Sequence, residues 1–203
     1  MADHYYTPLP ESAHRPRAVQ AELLGHALRF ETDAGVFSRD AVDPGSRLLI
    51  EAMGEVSGRV LDLGCGWGAV GVSLAAANPQ ARLVLCDVNQ RAVELARRNL
   101  QANRIGNAEA VVSDAFSALE GSFDHVVTNP PIRAGKQVIY AMFDEAFERL
   151  LPGGTLTIVI RKQQGAPSAQ KHLLERFGNA ETIARGGGYH VIRSRKEATH
   201  DDP

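Results

Sequence analysis

The chain has 203 residues, 44 % hydrophobic and 23 % charged, which suits one globular domain with a full core and a modest extension. Its net charge of −2 excludes a strong overall pull toward nucleic acid or an anionic membrane, but the sign is uneven: residues 1–130 carry 11 Lys and Arg against 16 Asp and Glu, and residues 131–203 carry 11 against 8. Basic surface is therefore expected toward the C-terminal half.

The first 22 residues are polar and proline-containing, with neither a helical nor a strand period, and read as an irregular arm. No apolar h-region opens the chain and no run approaches the roughly 18 apolar residues of a membrane span. A cytoplasmic protein with no membrane partner is the expectation. From Leu23 to Thr32 a strand is expected. Asp33-Ala34-Gly35 reads as the turn of a hairpin leading into Val36-Phe37-Ser38, with Phe37 read as core. Asp43-Pro44 marks a helix start, acid as N-cap and proline at the first helical position, and Gly54 its end.

The centre of the chain is residues 60–75, VLDLGCGWGAVGVSLA. A short apolar run, Val60 to Leu63, reads as a buried strand, and Ala69 to Ala77 as a helix. Between them Gly64, Gly66 and Gly68 permit positive φ and close approach of a ligand to the backbone, at a helix N-terminus whose N–H groups are free. Three readings compete: a tight connection without a ligand, a dinucleotide-binding G-x-G-x-x-A loop, and an S-adenosylmethionine loop with the pattern D-x-G-x-G-x-G beginning at Asp62.

A second strand, Ala81 to Cys86, ends at Asp87, where a carboxylate can accept from two ribose hydroxyls; capping of the next helix is the structural alternative. A helix from Gln90 to Ala102 follows. Strands from Glu109 to Val112 and from Phe123 to Thr128 end at Asp114 and at Asn129-Pro130-Pro131-Ile132. Then come a helix from about Gln137 to Leu150, a turn at Pro152-Gly153-Gly154 and a strand from Thr155 to Ile160 ending at Arg161-Lys162. A helix near Pro167 to Phe177 and strands near Glu181 to Ala184 and Tyr189 to Arg193 close the chain. Alternating strands and helices imply a parallel sheet covered on both faces, with the ligand beyond the carboxyl ends of its strands. The glycine loop, Asp87, Asp114, Asn129 and Arg161-Lys162 all fall at that edge. Cys65 and Cys86 have no metal-ligand spacing and read as reduced, packed thiols, so no metal is expected.

Two prolines after Asn129 remove two N–H groups and force Asn129 out of the α region, so Asn129-Pro130-Pro131 reads as a stiff turn. Its side-chain carbonyl with a nearby backbone carbonyl would form paired acceptors for a planar –NH2 group. That chemistry relies on positioning more than on a strong base.

N-P-P after the fourth strand and D-x-G-x-G-x-G after the first resemble the class I methyltransferases that modify exocyclic or amide nitrogens. The segments DAGVFSRD, NPPIRAGK and IRKQQGAPSA resemble more narrowly the RsmC-type small-subunit ribosomal RNA methyltransferases, which act on the exocyclic amine of guanine, and their single-domain relatives. The resemblance runs from about Asp33 to Tyr189. It implies a Rossmann-like α/β fold with a seven-stranded, mostly parallel sheet and a short N-terminal hairpin. Residues 1–54 would pack on an S-adenosylmethionine-binding domain of residues 55–203.

It further implies that Asp62, Gly64, Cys65, Gly66 and Gly68 hold the methionine part. Asp87 and Val88 would hold the ribose, Asp114 and Ala115 the adenine, and Phe37 would close over the pocket. Asn129 with Pro130 and Pro131 would hold the target nitrogen, and Ile132, Arg161 and Lys162 the substrate, which would be ribosomal RNA or a small-subunit particle. Ile132 departs from the aromatic residue that many amine methyltransferases carry after N-P-P. The better-known ribosomal members also carry a second, degenerate domain in front that helps to bind RNA. Three other functions remain open: methylation of a protein amide or small-molecule amine, a nicotinamide oxidoreductase, and a non-enzymatic RNA-binding module. Nothing in the sequence sets an oligomeric state.

Overall fold

The computed structural model describes residues 12–198. Seven strands form one sheet: β3 (Arg59–Leu63), β4 (Arg82–Asp87), β5 (Ala108–Val112), β6 (Phe123–Thr128), β7 (Leu150–Arg161), β8 (Glu181–Gly186) and β9 (Tyr189–Arg195), in the spatial order β5-β4-β3-β6-β7-β9-β8. All neighbours pair in parallel except β9, which runs antiparallel to both β7 and β8. The chain starts at β3, builds outward through β4 and β5, and returns to β6 on the other side. The order thus reverses between β3 and β6, where open α/β sheets leave a crevice. Thr128 Oγ1 donates to the Leu63 carbonyl at 2.7 Å and locks the two strand ends together there.

Helices α1 (Pro44–Met53), α2 (Ala69–Ala77) and α3 (Gln90–Ala102) share one core cluster, and α4 (Lys136–Arg149) and α5 (Ala166–Phe177) contribute to the other. Helix α2 is apolar nearly all round and buried from Ala69 to Ala75, as required of a helix covered on every side. In the sequence AVGVSLAAA, Gly71 is the point of closest approach: a Cβ there would lie 2.4 Å from Leu85 Cγ on β4.

The N-terminal hairpin differs from the expectation. Its strands are β1 (Arg17–Leu23) and β2 (His26–Thr32), antiparallel from Arg17↔Thr32 to Leu23↔His26. The turn is Leu24-Gly25, with φ of 49° and 77°, as a two-residue hairpin turn of the mirror-image type demands. Val19, Leu23, Leu28 and Phe30 are buried, so the strand period lies in the stretch read as an irregular arm. The part of that arm before Ser12 lies outside the described residues. Asp33 to Ser38 forms a run of turns rather than a second strand.

The exposed edge of β2 is closed by side chains. Asn99 accepts from the Glu31 N–H at 2.7 Å and donates to the Glu31 carbonyl at 3.0 Å; Asn103, one turn later on α3, does the same to Arg29 at 3.0 and 2.7 Å. Two amides at helical spacing replace a missing neighbouring strand.

The other elements begin and end close to their expected limits. Pro152-Gly153-Gly154, expected as a turn before the strand, instead forms an irregularity within β7, where the register with β6 jumps from Phe123↔Leu150 to His125↔Thr155. A reason is visible in the pairing with the chain's end: Gly153 N–H donates to the Lys196 carbonyl and Lys196 N–H to that of Gly154. Among the described residues no helix is long and apolar enough to cross a membrane.

Candidate functional site

A cavity of about 860 Å³ opens at the carboxyl edge of the sheet, within the range of small-molecule sites. The glycine loop forms one wall. The N–H groups of Gly64 and Cys65 both donate to the Cys86 carbonyl at 2.9 and 2.8 Å, so the turn is pinned to the end of β4. Gly64 (φ 74°) and Gly66 (φ 54°) line the cavity, and a Cβ on either would meet no atom within 4 Å. Their bare backbones thus face open space. Gly68 has a different place: it precedes α2 at φ 92°, and a Cβ there would press on Val72, Leu85 and Ala96 at 3.2 to 3.3 Å.

Asp62 and Cys65 are buried and line a small adjoining recess rather than the main cavity. The Asp62 carboxylate accepts the Gly71 N–H at 2.8 Å and so ties β3 to α2. Burial pushes its pKa from 3.8 up to about 7, with the Asp87 charge adding to the rise and the Gly71 N–H opposing it. Both thiols are free, and burial raises them well above the usual thiol range, Cys86 to about 12.

Asp87, with Val88, lines the cavity at the end of β4. Its Oδ2 accepts the Gly66 N–H at 2.8 Å and its Oδ1 the Asn89 N–H at 2.9 Å. Burial raises its pKa, against the hydrogen bonds from Asn89, Gly66 and Val88. The capping alternative goes to another residue, because Asn89 caps α3 by accepting from the Ala92 N–H. Asp114 and Ala115 stand farther along the same wall.

Phe37 is 37 % exposed and lines the cavity, against the general expectation of a core aromatic and in line with the place the resemblance implies. The turns that carry it are held from behind, by Trp67 Nε1 donating to the Phe37 carbonyl and Asn89 Nδ2 to the Gly35 carbonyl, both at 2.9 Å.

Asn129, Pro130, Pro131 and Ile132, beyond the end of β6 next to β3, also line the cavity. Asn129 Nδ2 lies 3.2 Å from Asp43 Oδ2 and 3.0 Å from Ser46 Oγ. A carboxylate oxygen only accepts, so the Asn129 amide must present its –NH2 to Asp43. Its carbonyl oxygen then points elsewhere, and among the described residues it has no hydrogen-bond partner. Arg161 reaches the cavity wall with its guanidinium 4.7 Å from the Tyr189 ring centre, whereas Lys162 is exposed and outside the lining.

Residues 27–193 match the family described as Methyltransferase small domain. The chain belongs to that family. This methyltransferase small domain is 42 % identical over 200 residues to the uncharacterized protein YbxB of Bacillus subtilis (strain 168), covering 97 % of this chain and 100 % of YbxB. It is 40 % identical over 179 residues to the Ribosomal RNA small subunit methyltransferase C of Salmonella choleraesuis, covering 86 % of this chain and 51 % of the relative.

Among solved structures, the T. thermophilus 16S rRNA N2 methyltransferase RsmC, in complex with AdoMet and guanosine, superposes with a TM-score of 0.82 at 34 % identity, covering 93 % of this chain and 52 % of that one. The chain thus spans about half the length of these ribosomal RNA methyltransferases. The family assignment sets aside the dinucleotide reading of the loop.

Asp43, Ser46 and Tyr189 are among the residues of this site that were not expected there. Asp43 reads in the sequence as a helix cap, and it is one, its Oδ2 accepting the Ser46 N–H at 3.0 Å. Nothing in the sequence signals that the same oxygen reaches Asn129. Ser46 and Tyr189 carried no local motif either.

Proposed function

We propose that this chain is an S-adenosylmethionine-dependent N-methyltransferase acting on the exocyclic amine of a guanine in ribosomal RNA, in the cytoplasm. The observation that carries the reading is the Asn129 amide, held by its nitrogen so that its carbonyl oxygen is left to accept, in a cavity shared with a bare glycine loop and Asp87. The names of the related ribosomal RNA methyltransferases support the choice of substrate.

The residues present fit the cofactor. Gly64 and Gly66 turn bare backbone to open cavity space, and Asp87 offers a carboxylate to a ribose at the strand end. Asp114 and Ala115 would flank the adenine. When bound, S-adenosylmethionine supplies a methyl group on a sulfonium sulfur. The chain's own part is orientation: Asn129 Oδ1 accepts one hydrogen of the target amine, which turns the nitrogen lone pair along the transfer direction. A neutral amide does not keep that proton, so it passes to solvent as the new bond forms. Ile132 supplies a flat apolar contact to the base in place of an aromatic ring.

The test is transfer of radiolabelled methyl from S-adenosylmethionine to deproteinised ribosomal RNA and to small-subunit particles, with digestion to nucleosides. Label in N2-methylguanosine is the expected result. Label only in protein or in small molecules overturns the RNA substrate while leaving methyl transfer in place.

A further inference from the structure

Methyl transfer at Asn129 requires its carboxamide to face the substrate in one orientation. A carboxamide can flip end for end at little steric cost, and the flipped form would aim –NH2 at the target amine, donor against donor. We infer that Asp43 and Ser46, at the start of α1, are positioning residues that forbid this flip, and that Tyr189 steadies Asp43 in that role.

Asp43 Oδ2 accepts two N–H groups at once, that of Ser46 at 3.0 Å and that of Asn129 Nδ2 at 3.2 Å. Ser46 Oγ accepts the second Asn129 hydrogen at 3.0 Å. Both hydrogens of the Asn129 amide are thereby held. A flipped Asn129 would set its own carbonyl oxygen against the Asp43 carboxylate, acceptor against acceptor, in a partly buried place.

The remaining carboxylate oxygen, Asp43 Oδ1, accepts from the Tyr189 hydroxyl at 3.3 Å. The Tyr189 ring lies so close over the first turn of α1 that a Cβ on Gly45 would stand 2.6 Å from Tyr189 Cε1. Arg161 covers the same ring with its centre 4.7 Å away. Helix cap, hydroxyl and ring thus form one chain of contacts from Asn129 through the start of α1 to β9, more than capping alone would require.

The inference rests on the proposed function and is tested separately from it. Asp43→Ser keeps a good N-cap for α1 but cannot reach Ser46, Asn129 and Tyr189 together. It is expected to retain the wild-type melting temperature within a few degrees and S-adenosylhomocysteine affinity within a few-fold, yet to lower kcat by about tenfold or more. Ser46→Ala, a mild change within a helix, should lower kcat in the same sense by a smaller factor. Asp43→Asn is the conservative variant: its oxygen can take the place of Oδ2 while its –NH2 meets the Tyr189 oxygen, so turnover should recover to near wild type.

In an Asn129→Ala background, Asp43→Ser should cause no further loss, because both act through the same amide. Unchanged kcat in Asp43→Ser, or losses that multiply in the double variant, would overturn the inference with methyl transfer intact. Absence of methyl transfer by the unmodified protein overturns the functional reading and this inference together.

Discussion

The indole N–H of Trp67 donates to the main-chain carbonyl of Phe37 at 2.9 Å, joining the glycine loop to the turns in front of it. Trp67 is buried, its ring edge-on to Phe30 at 5.0 Å, so the bond connects hairpin, loop and cavity wall in one packed unit. Trp67→Phe keeps an aromatic ring but removes the donor and is expected to cost about 1 to 2 kcal/mol of stability. Because the Phe37 segment would also lose its anchor, affinity for S-adenosylhomocysteine should fall several-fold in calorimetry. A stability loss with unchanged affinity would remove Phe37 from the cofactor pocket.

Asp62 supplies a pH dependence. Its pKa rises from 3.8 to about 7 on folding, so between those values the native state binds more protons than the unfolded one. The stability tied to protonated Asp62 is fully present below 3.8 and is lost as pH rises through about 7. Asp62→Asn, whose amide oxygen can still accept the Gly71 N–H, removes this contribution. Relative to wild type the variant should therefore gain stability steadily from about pH 4 to pH 7, by on the order of a few kcal/mol, and level off above. Burying the new –NH2 shifts that whole curve without changing its slope. Urea unfolding across the range decides it: parallel curves would show that Asp62 is ionised throughout.

Asp87 is expected to accept from the ribose hydroxyls, and Asp87→Ala should weaken S-adenosylmethionine binding by roughly 2 to 3 kcal/mol. The carboxylate also accepts the Gly66 and Asn89 N–H groups, so the same change frees part of the glycine loop. Calorimetry on a variant shown by circular dichroism to be folded is the check. Unchanged affinity would remove Asp87 from the ribose site.

The sheet was legible because its signals are local: short apolar runs ending at Leu63, Asp87 and Asn129, each followed by a helix. The hairpin was misplaced because its turn uses Leu24 at positive φ, a conformation no turn propensity assigns to leucine. General burial preference puts a lone aromatic such as Phe37 in the core and only the family resemblance puts it over the pocket, because its exposure depends on what folds beside it, here Trp67 and Asn89 from distant elements. The link from Asp43 to Asn129 spans 86 residues. A capping aspartate has the same local pattern whether or not its second lone pair finds a distant amide, so sequence alone could assign only the cap.

Asn129→Ala separates binding from chemistry. If Asn129 only orients the acceptor amine, cofactor affinity should stay within a few-fold while turnover falls by about a hundredfold or more. Equilibrium binding and single-turnover methyl transfer, measured on the same preparation, provide the comparison. Near wild-type turnover would reduce the Asn129-Pro130-Pro131 turn to a structural role.

The proposed RNA substrate makes its own demand on salt. Arg161 lies on the cavity wall over Tyr189, and Lys162 stands exposed beside it. Arg185 and Lys162 both lie close enough to His190 on the adjoining strand to act on its charge, so the rim carries several cations. Phosphate contacts release counterions, so the apparent affinity for ribosomal RNA should fall steeply with added salt. Arg161→Ala with Lys162→Ala should flatten the slope of log affinity against log salt by about 1 for each phosphate contact removed. Affinity at fixed salt should fall for all RNA sequences alike, since such contacts position the strand without reading its bases. Filter binding of ribosomal RNA fragments over a series of salt concentrations measures both quantities. A double variant with the wild-type slope would place the RNA backbone on another face and leave the methyl-transfer site unaffected.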